Sequence, residues 1–191
     1  MKKRSWIIVL ILACLLLAGG LYMFLNQNKE KEFWDAGGQY RYRIRDAYTA
    51  VLVSSRHQEA EMHIPEDLDN YTVSEIAAEA FYGHQSVALL TFPDGLEVIG
   101  ERAFSHCPKL EEVTLPEGLR RLEAEAFSHN PSLQRVIMRP GVVSLGKQLF
   151  EGCTNLHSLT FLGTQEEWDS IEKGANWQKD LPDDFRIIFE P

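Results

Sequence analysis

The chain has 191 residues, of which 45% are apolar and 25% charged, and its formal net charge is −9. This composition is that of an ordinary globular protein with room for one buried core, and it excludes several separate large cores. Three of the 19 Lys and Arg residues precede Trp6, and all 28 Asp and Glu residues follow Leu25. The strongly acidic part after residue 25 argues against nucleic acid and anionic lipid headgroups as partners.

The amino terminus predicts a transmembrane helix over residues 1–25. Trp6 to Leu25 form a run without any charge, and Lys2, Lys3 and Arg4 precede it. Such a helix is about 30 Å long and matches the hydrocarbon layer of a bilayer. Because basic residues favour the cytoplasmic side, we expect an uncleaved signal anchor in a bacterial cell membrane, with the rest of the chain extracellular.

Two other interpretations of this segment stay open. Cleavage as a signal peptide would give a secreted protein; Ala18 and Gly20 supply small residues, but the apolar run continues after them. A lipoprotein would be acylated at Cys14, although the apolar region before this cysteine is very short. Residues 26–39 are interpreted as a polar spacer between the membrane and the folded domain.

A 23-residue repeat organises the remaining chain. Phe81, Phe104, Phe127 and Phe150 are spaced by 23 residues, and such a set of equivalent positions is called a column here. Five further columns of apolar residues recur at the same interval. A unit of this size cannot bury its own apolar side, so stacked units that share a continuous core are expected. Within each unit, alternation predicts a short strand ended by proline, and the segment around Phe104 predicts a tight helical turn.

Both ends of the repeat array predict capping structures. Tyrosine and arginine alternate over residues 40–45 before a turn and a second strand, which indicates a hairpin. Residues 61–65 form a degenerate strand pattern in the same column as "LLTFP". Near the carboxyl end, Thr164 and Glu167 form a capping box that predicts a short helix with Trp168 and Ile171 inward, ending at Gly174. A last strand is expected over residues 185–190.

The repeated pattern resembles the BspA-like class of bacterial leucine-rich repeats. It reads L-E-V-I-G-E-R-A-F-S-H-C-P-K-L-E-E-V-T-L-P from Leu96 to Pro116, and residues 40–191 fit it, although Asn130 stands where the third unit would have Cys. We therefore expect a mainly β leucine-rich-repeat solenoid with short helical turns. Its parts are an amino-terminal β cap (40–72), four 23-residue coils (73–163) and a carboxyl-terminal helix and strand cap (164–191).

Two cysteines and two histidines could carry chemistry, and both pairs have structural explanations. Cys107 and Cys153 fall in one column two coils apart, so their Cα atoms would be about 10 Å apart, beyond the limit of about 7 Å for a disulfide. Free, buried thiols are expected. His106 and His129 occupy equivalent positions, but a metal site needs a third ligand, and the same positions in the other units are glycines.

No pattern indicates a catalytic site. An enzyme needs a nucleophile with its base, paired carboxylates in a cleft, or a glycine-rich phosphate loop, and here the polar positions belong to repeat turns and strand faces. We expect no enzyme, no cofactor and no bound metal.

Two columns of outward-facing strand positions change residue type from coil to coil, whereas the core columns do not. They form the candidate binding face, which consists of Ala88, Leu89, Glu111, Glu112, Gln134, Arg135, His157 and Ser158. A broad solenoid face suits a protein partner better than a small molecule.

The leading hypothesis is a non-catalytic, membrane-anchored extracellular module for protein interaction or adhesion, with a protein or a surface glycan as partner; the resemblance implies the same by analogy. The second is an architectural subunit of an envelope assembly, which predicts an exposed apolar patch near Leu89 and Ile137. The third is a surface hydrolase with an unrecognised site.

Overall fold

The computed structural model describes residues 31–191, which are mainly β, as expected. The segment 6–25, predicted to span a membrane, lies outside the described residues, as does Cys14. Between residues 31 and 191, no helix has the length and apolar character needed to cross a bilayer. The strands are β1 (Glu32–Trp34), β2 (Tyr40–Ile44), β3 (Thr49–Ser55), β4 (Glu61–His63), β5 (Asp67–Leu68), β6 (Tyr71–Ile76), β7 (Leu89–Thr91), β8 (Val98–Ile99), β9 (Glu112–Thr114), β10 (Arg121–Leu122), β11 (Arg135–Met138), β12 (Ser144–Leu145), β13 (Ser158–Phe161), β14 (Glu172–Lys173) and β15 (Arg186–Phe189), and the helix is α1 (Gln165–Ser170).

Two sheets form opposite walls of a solenoid. One has nine strands, in the order β1-β2-β3-β6-β8-β10-β12-β14 with β5 beside β6, and the other has six, in the order β15-β13-β11-β9-β7-β4. All pairs of the six-stranded sheet are parallel. Each coil contributes one strand to each sheet, because the chain, apart from the short strand β5, alternates between them from β3 to β15.

The described chain therefore makes six coils, not the four that the period indicated. The additional first coil uses hairpin strand β3 and then β4, which pairs in parallel with β7. The additional last coil consists of β14 and β15, and the connection from β13 that leads into it is longer than its counterparts, since Leu145 pairs with Lys173, whereas Leu122 pairs with Leu145. Helix α1 lies in this connection, and the extra residues break the 23-residue spacing.

The phenylalanine column forms a stacked ladder through the core. Ring centroids lie 4.9 Å apart between Phe81 and Phe104, 5.5 Å between Phe104 and Phe127, and 6.1 Å between Phe127 and Phe150. Trp177 closes the ladder edge-on, 6.4 Å from Phe150. All four phenylalanines are buried, so each coil covers the apolar side of the one before it.

The predicted helical turn is a run of tight turns whose backbone also bonds along the solenoid. The N–H groups of Arg102, Phe104 and His106 donate to carbonyls of the next coil, and that of Ser105 donates back to Arg102 within its own turn. Two columns in these turns have positive φ; the first contains Glu79, Arg102, Glu125 and Gln148, and the second Gly83, His106, His129 and Gly152. The second column explains the glycines at the histidine positions, because glycine adopts this conformation without strain.

The amino-terminal hairpin is present and larger than expected. Strands β2 and β3 pair antiparallel, and β1 pairs antiparallel with β2. Residues 26–39 were expected to be a spacer, whereas Glu32–Trp34 already belong to the sheet. Phe33 accounts for the difference, since its ring packs 5.9 Å from that of Tyr42 at the edge of the core.

Helix α1 has the predicted start and an earlier end. Thr164 is the N-cap, and its capping box with Glu167 is complete. The helix ends at Ser170, not near Gly174, because the chain turns at Ile171 directly into β14. Trp168 and Ile171 are buried, as predicted.

One column of the core mixes thiols with a buried amide. Cys107 and Cys153 are free and buried, as predicted, and their thiols donate to the carbonyls of the preceding coil. Asn130 lies between them and makes three hydrogen bonds: its Nδ2 donates to the carbonyls of Phe104 (2.9 Å) and Phe127 (2.8 Å), and its Oδ1 accepts from the N–H of Cys107 (2.7 Å). The amide thus ties its own coil to the preceding one.

Replacing this amide tests how the column holds the coils. Asn130→Ala should lower the free energy of unfolding by about 3 kcal/mol, because buried backbone groups lose their partners. Asn130→Cys should lower it by only about 1 kcal/mol, since a thiol can use the hydrogen bonds that the other cysteines make. Urea unfolding followed by tryptophan fluorescence measures both, and equal losses would contradict this explanation.

The buried thiols give a chemical test of the register. Burial raises the pKa of the Cys107 thiol to about 11 and that of Cys153 to about 12. Because the thiolate is the reactive form, a Cys14→Ser variant at pH 8 should not react with Ellman's reagent while folded, and should release two equivalents on unfolding. Fewer than two equivalents, indicating a disulfide between them, would show that the columns are misaligned.

Candidate functional site

The outer surface of the six-stranded sheet brings the eight predicted face residues together. The register places Leu89, Glu112, Arg135 and Ser158 side by side on neighbouring strands. The residue before each of these forms the adjacent row, which consists of Ala88, Glu111, Gln134 and His157. The buried residues Leu90, Val113, Val136 and Leu159 alternate with this face and point to the core.

Two open depressions cross this face and share Gln134 and Arg135. The first has a volume of about 450 Å³ and is lined by Ala60, Glu61, Ala88, Leu89, Glu111, Glu112, Gln134 and Arg135. The second has a volume of about 490 Å³ and is lined by Gln134, Arg135, Asn155, His157 and Ser158. All eight predicted residues line one or both, so the predicted columns form one continuous surface.

Three lining residues, Ala60, Glu61 and Asn155, were not among the predicted face residues. Strand β4 was expected to belong to the cap, although the pattern at residues 61–65 already aligned with β7, and the register shows that Glu61 lies beside Leu89. Asn155 was missed because it lies in the turn before β13, where its Nδ2 donates to the carbonyl of Pro131.

Charge is unevenly distributed along the face. Glu61, Glu111 and Glu112 lie toward the amino-terminal coils, whereas Arg135 and Arg186 lie toward the carboxyl-terminal coils. Arg135 Nη1 and Glu112 Oε2 form an ion pair of 2.9 Å where the two regions meet. Its side chains are largely solvent-accessible, so it contributes little to stability and stays available to a partner.

A second polar pair marks the carboxyl-terminal end of the face. His157 Nδ1 lies 2.7 Å from Asp184 Oδ1. The hydrogen bond from His157 holds the pKa of the Asp184 carboxyl below its usual range. Both side chains are exposed, so this end of the face is polar and has accessible hydrogen-bonding groups.

The apolar patch expected for an architectural subunit is not at the predicted place. Leu89 and Ile137 are both half-buried between neighbouring strands. In the described part of the chain, the exposed large apolar side chains lie elsewhere, at Trp34, Tyr48, Tyr82, Val143 and Ile188.

The two histidines stack as part of the repeat and lack a third ligand. The rings of His106 and His129 are 4.5 Å apart and almost parallel, and Tyr82 lies 5.0 Å from His106. Desolvation, followed by the nearby charges of His129 and Arg102, lowers the pKa of His106. Residues 31–191 contain no cluster of three potential metal-ligating side chains.

One serine–histidine contact bears on the hydrolase alternative. Ser105 Oγ lies 2.8 Å from His106 Nδ1 and 2.8 Å from Ser128 Oγ. Both serines are fully buried beneath the turns, so no substrate carbonyl can reach Ser105 Oγ in this conformation. The geometry is that of a hydrogen-bonded spacer between coils, not of an exposed nucleophile.

Comparison with solved structures supports the fold. The Treponema pallidum leucine-rich repeat protein is 24% identical with a TM-score of 0.66, over 74% of this chain and 64% of that one. A leucine-rich repeat protein from Bacteroides capillosus is 26% identical with a TM-score of 0.61, over 70% and 100%. A leucine rich cell surface protein from Faecalibacterium prausnitzii is 20% identical with a TM-score of 0.59, over 85% and 52%.

The chain spans less than two thirds of the Treponema and Faecalibacterium proteins. A search of curated proteins gave no match. A family model described as "BspA type Leucine rich repeat region" matches residues 68–177 in six copies, where the periodicity had indicated four. This match confirms the resemblance noted in the sequence, and the chain belongs to the BspA-type leucine-rich repeat family.

Proposed function

We propose that this protein is a non-catalytic, membrane-anchored extracellular module that binds another protein on the outer face of its six-stranded sheet. Leucine-rich repeat proteins of this type are generally protein-interaction modules. The observation that carries the proposal is the continuous surface formed by the eight variable strand positions, which line two adjoining depressions.

The chemistry of the face favours a protein over a surface glycan. Apart from Leu89, its lining residues are charged, polar or small, and no Trp, Tyr or Phe ring lines either depression to stack on a sugar. Carboxylates at one end and Arg135 with Arg186 toward the other fit a partner whose surface has the opposite polarity.

The amino-terminal sequence supports the proposed location. The uncharged run from Trp6 to Leu25 is long enough to span a bilayer, and the basic residues before it favour a cytoplasmic amino terminus. The relative from F. prausnitzii is described as a cell surface protein, which supports the same location here.

Charge reversal on the face should strongly reduce partner capture. Residues 27–191 serve as bait for extracts of host-cell surface and of the bacterium's own envelope, beside a variant with Glu111→Lys, Glu112→Lys and Arg135→Glu. Capture should fall at least about tenfold, because the reversed charges on the face would repel the charges of a partner that is complementary to the natural face. Quantitative mass spectrometry of the eluates measures the change.

A matched control reverses the same number of charges on the other side of the solenoid, with Glu101→Lys, Arg121→Glu and Glu123→Lys. It should capture the partner like the natural sequence. Circular dichroism should show both variants folded, since exposed ion pairs such as Arg135 with Glu112 contribute only about 0.5 kcal/mol. Capture that is unaffected by the reversal on the face would refute the binding site and favour the architectural alternative.

Protease accessibility tests the anchor. Added to intact cells, a protease should digest the repeat domain and leave the amino-terminal segment in the membrane fraction. Protection of the repeat domain would contradict the extracellular location, and its release into the medium without protease would indicate signal cleavage and a secreted protein.

A further inference from the structure

Within residues 31–191, the two ends of the solenoid are covered by different strands. At the amino-terminal end, the antiparallel strands β1 and β2 extend the nine-stranded sheet beyond the first coil. At the carboxyl-terminal end, β14 and β15 are the last strands of their sheets, and the described residues add no strand beyond them. Core-facing side chains there stay only partly covered, namely Leu181, Phe185, Ile187 and Phe189.

The outer edge of β15 offers unused backbone groups. The N–H groups of Arg186 and Glu190 donate to carbonyls at the β13 side, those of His157 and Phe161. Because backbone groups alternate in direction along a strand, the N–H and C=O groups of Ile187 and Phe189 point to the open edge. Within residues 31–191 that edge has no partner strand.

The sequence of β15 and the residue after it is self-complementary in one antiparallel register. Centred on Ile188, a second copy places Arg186 opposite Glu190 and Ile187 opposite Phe189, with Ile188 opposite itself. In this register Ile187 and Phe189 form the hydrogen-bonded pairs, which matches the groups that point outward. Opposite charges face each other at both ends, so the charges that commonly protect an edge strand here favour pairing.

We propose that two copies of this chain pair through β15, antiparallel and centred on Ile188. Ile188 is 37% exposed on the outer face, and pairing covers it with its own counterpart. Ile187 and Phe189 extend the apolar layer across the junction, next to Phe161, whose ring lies 6.2 Å from that of Phe189. This pairing does not depend on the function proposed above.

Head-to-tail stacking is disfavoured by the amino-terminal hairpin. The other open edge of the six-stranded sheet is β4, but β1 and β2 extend the opposite sheet past β3. A second copy therefore cannot continue both sheets there. A closed two-fold dimer, rather than an open filament, is the outcome of the geometry.

Disulfide trapping tests the register. The full chain is prepared in a mild detergent with Cys14→Ser and Ile188→Cys. In a non-hydrogen-bonded antiparallel pair the Cα atoms are about 4.5 Å apart, within the range of a disulfide, so mild oxidation should convert most of the protein to a reducible dimer. The matched control carries Ile137→Cys, on the same face of β11, and should stay monomeric on a non-reducing gel.

Charge exchange tests the same pairing without a cross-link. Light scattering of the full chain should show a dimer. Arg186→Glu and Glu190→Arg should each raise the dimer dissociation constant by at least about tenfold. The variant with both exchanges should have the dissociation constant of the natural sequence. A monomeric natural chain, equal trapping at residues 137 and 188, failure of the double exchange to restore pairing, or a series of higher oligomers would each overturn the proposal. Because partner capture is measured separately, a loss of pairing and a loss of binding are distinguishable.

Discussion

Every feature of this protein depends on the fact that one 23-residue coil cannot bury its own apolar side. The coils solve this by stacking, with phenylalanine rings 4.9 to 6.1 Å apart through the core. Backbone hydrogen bonds join neighbouring coils in both sheets and also in the turns, where Phe104 and His106 donate to the next coil. A core residue therefore has to suit the coils before and after it, and this is why the columns repeat.

The same constraint separates structure from recognition. Inward positions such as Val113 and Val136 are fixed by packing against apolar neighbours in the adjacent coils, whereas the outward positions beside them, Glu112 and Arg135, contact only each other and solvent. Differences between coils can therefore accumulate on the sheet surface without disturbing the core. The reversal of charge along that surface gives it a direction, so a partner would bind in one orientation.

The period was sufficient to predict the core columns, the strands of the six-stranded sheet and the outward rows of that sheet, because each depends on local alternation repeated in register, whereas the second strand of each coil, in the nine-stranded sheet, was not predicted. It underestimated the number of coils, since the first coil uses a strand of the hairpin and α1 lies in the connection that leads into the last coil, so neither keeps the spacing. The left-handed turns could not be predicted, because residues such as Glu79 and His106 occupy them without the usual glycine. Ala60 and Glu61 were missed because they belong to the first coil, whose strand β4 was expected to be part of the cap.

The stacking also has a mechanical consequence. Hydrogen bonds between coils run along the solenoid axis, so tension along that axis loads the junctions between coils in series. The weakest junction yields first, and each coil that peels away lengthens the chain from about 5 Å to about 80 Å. Under strain the protein would extend stepwise and dissipate work at each junction, and the remaining coils would keep their surface intact.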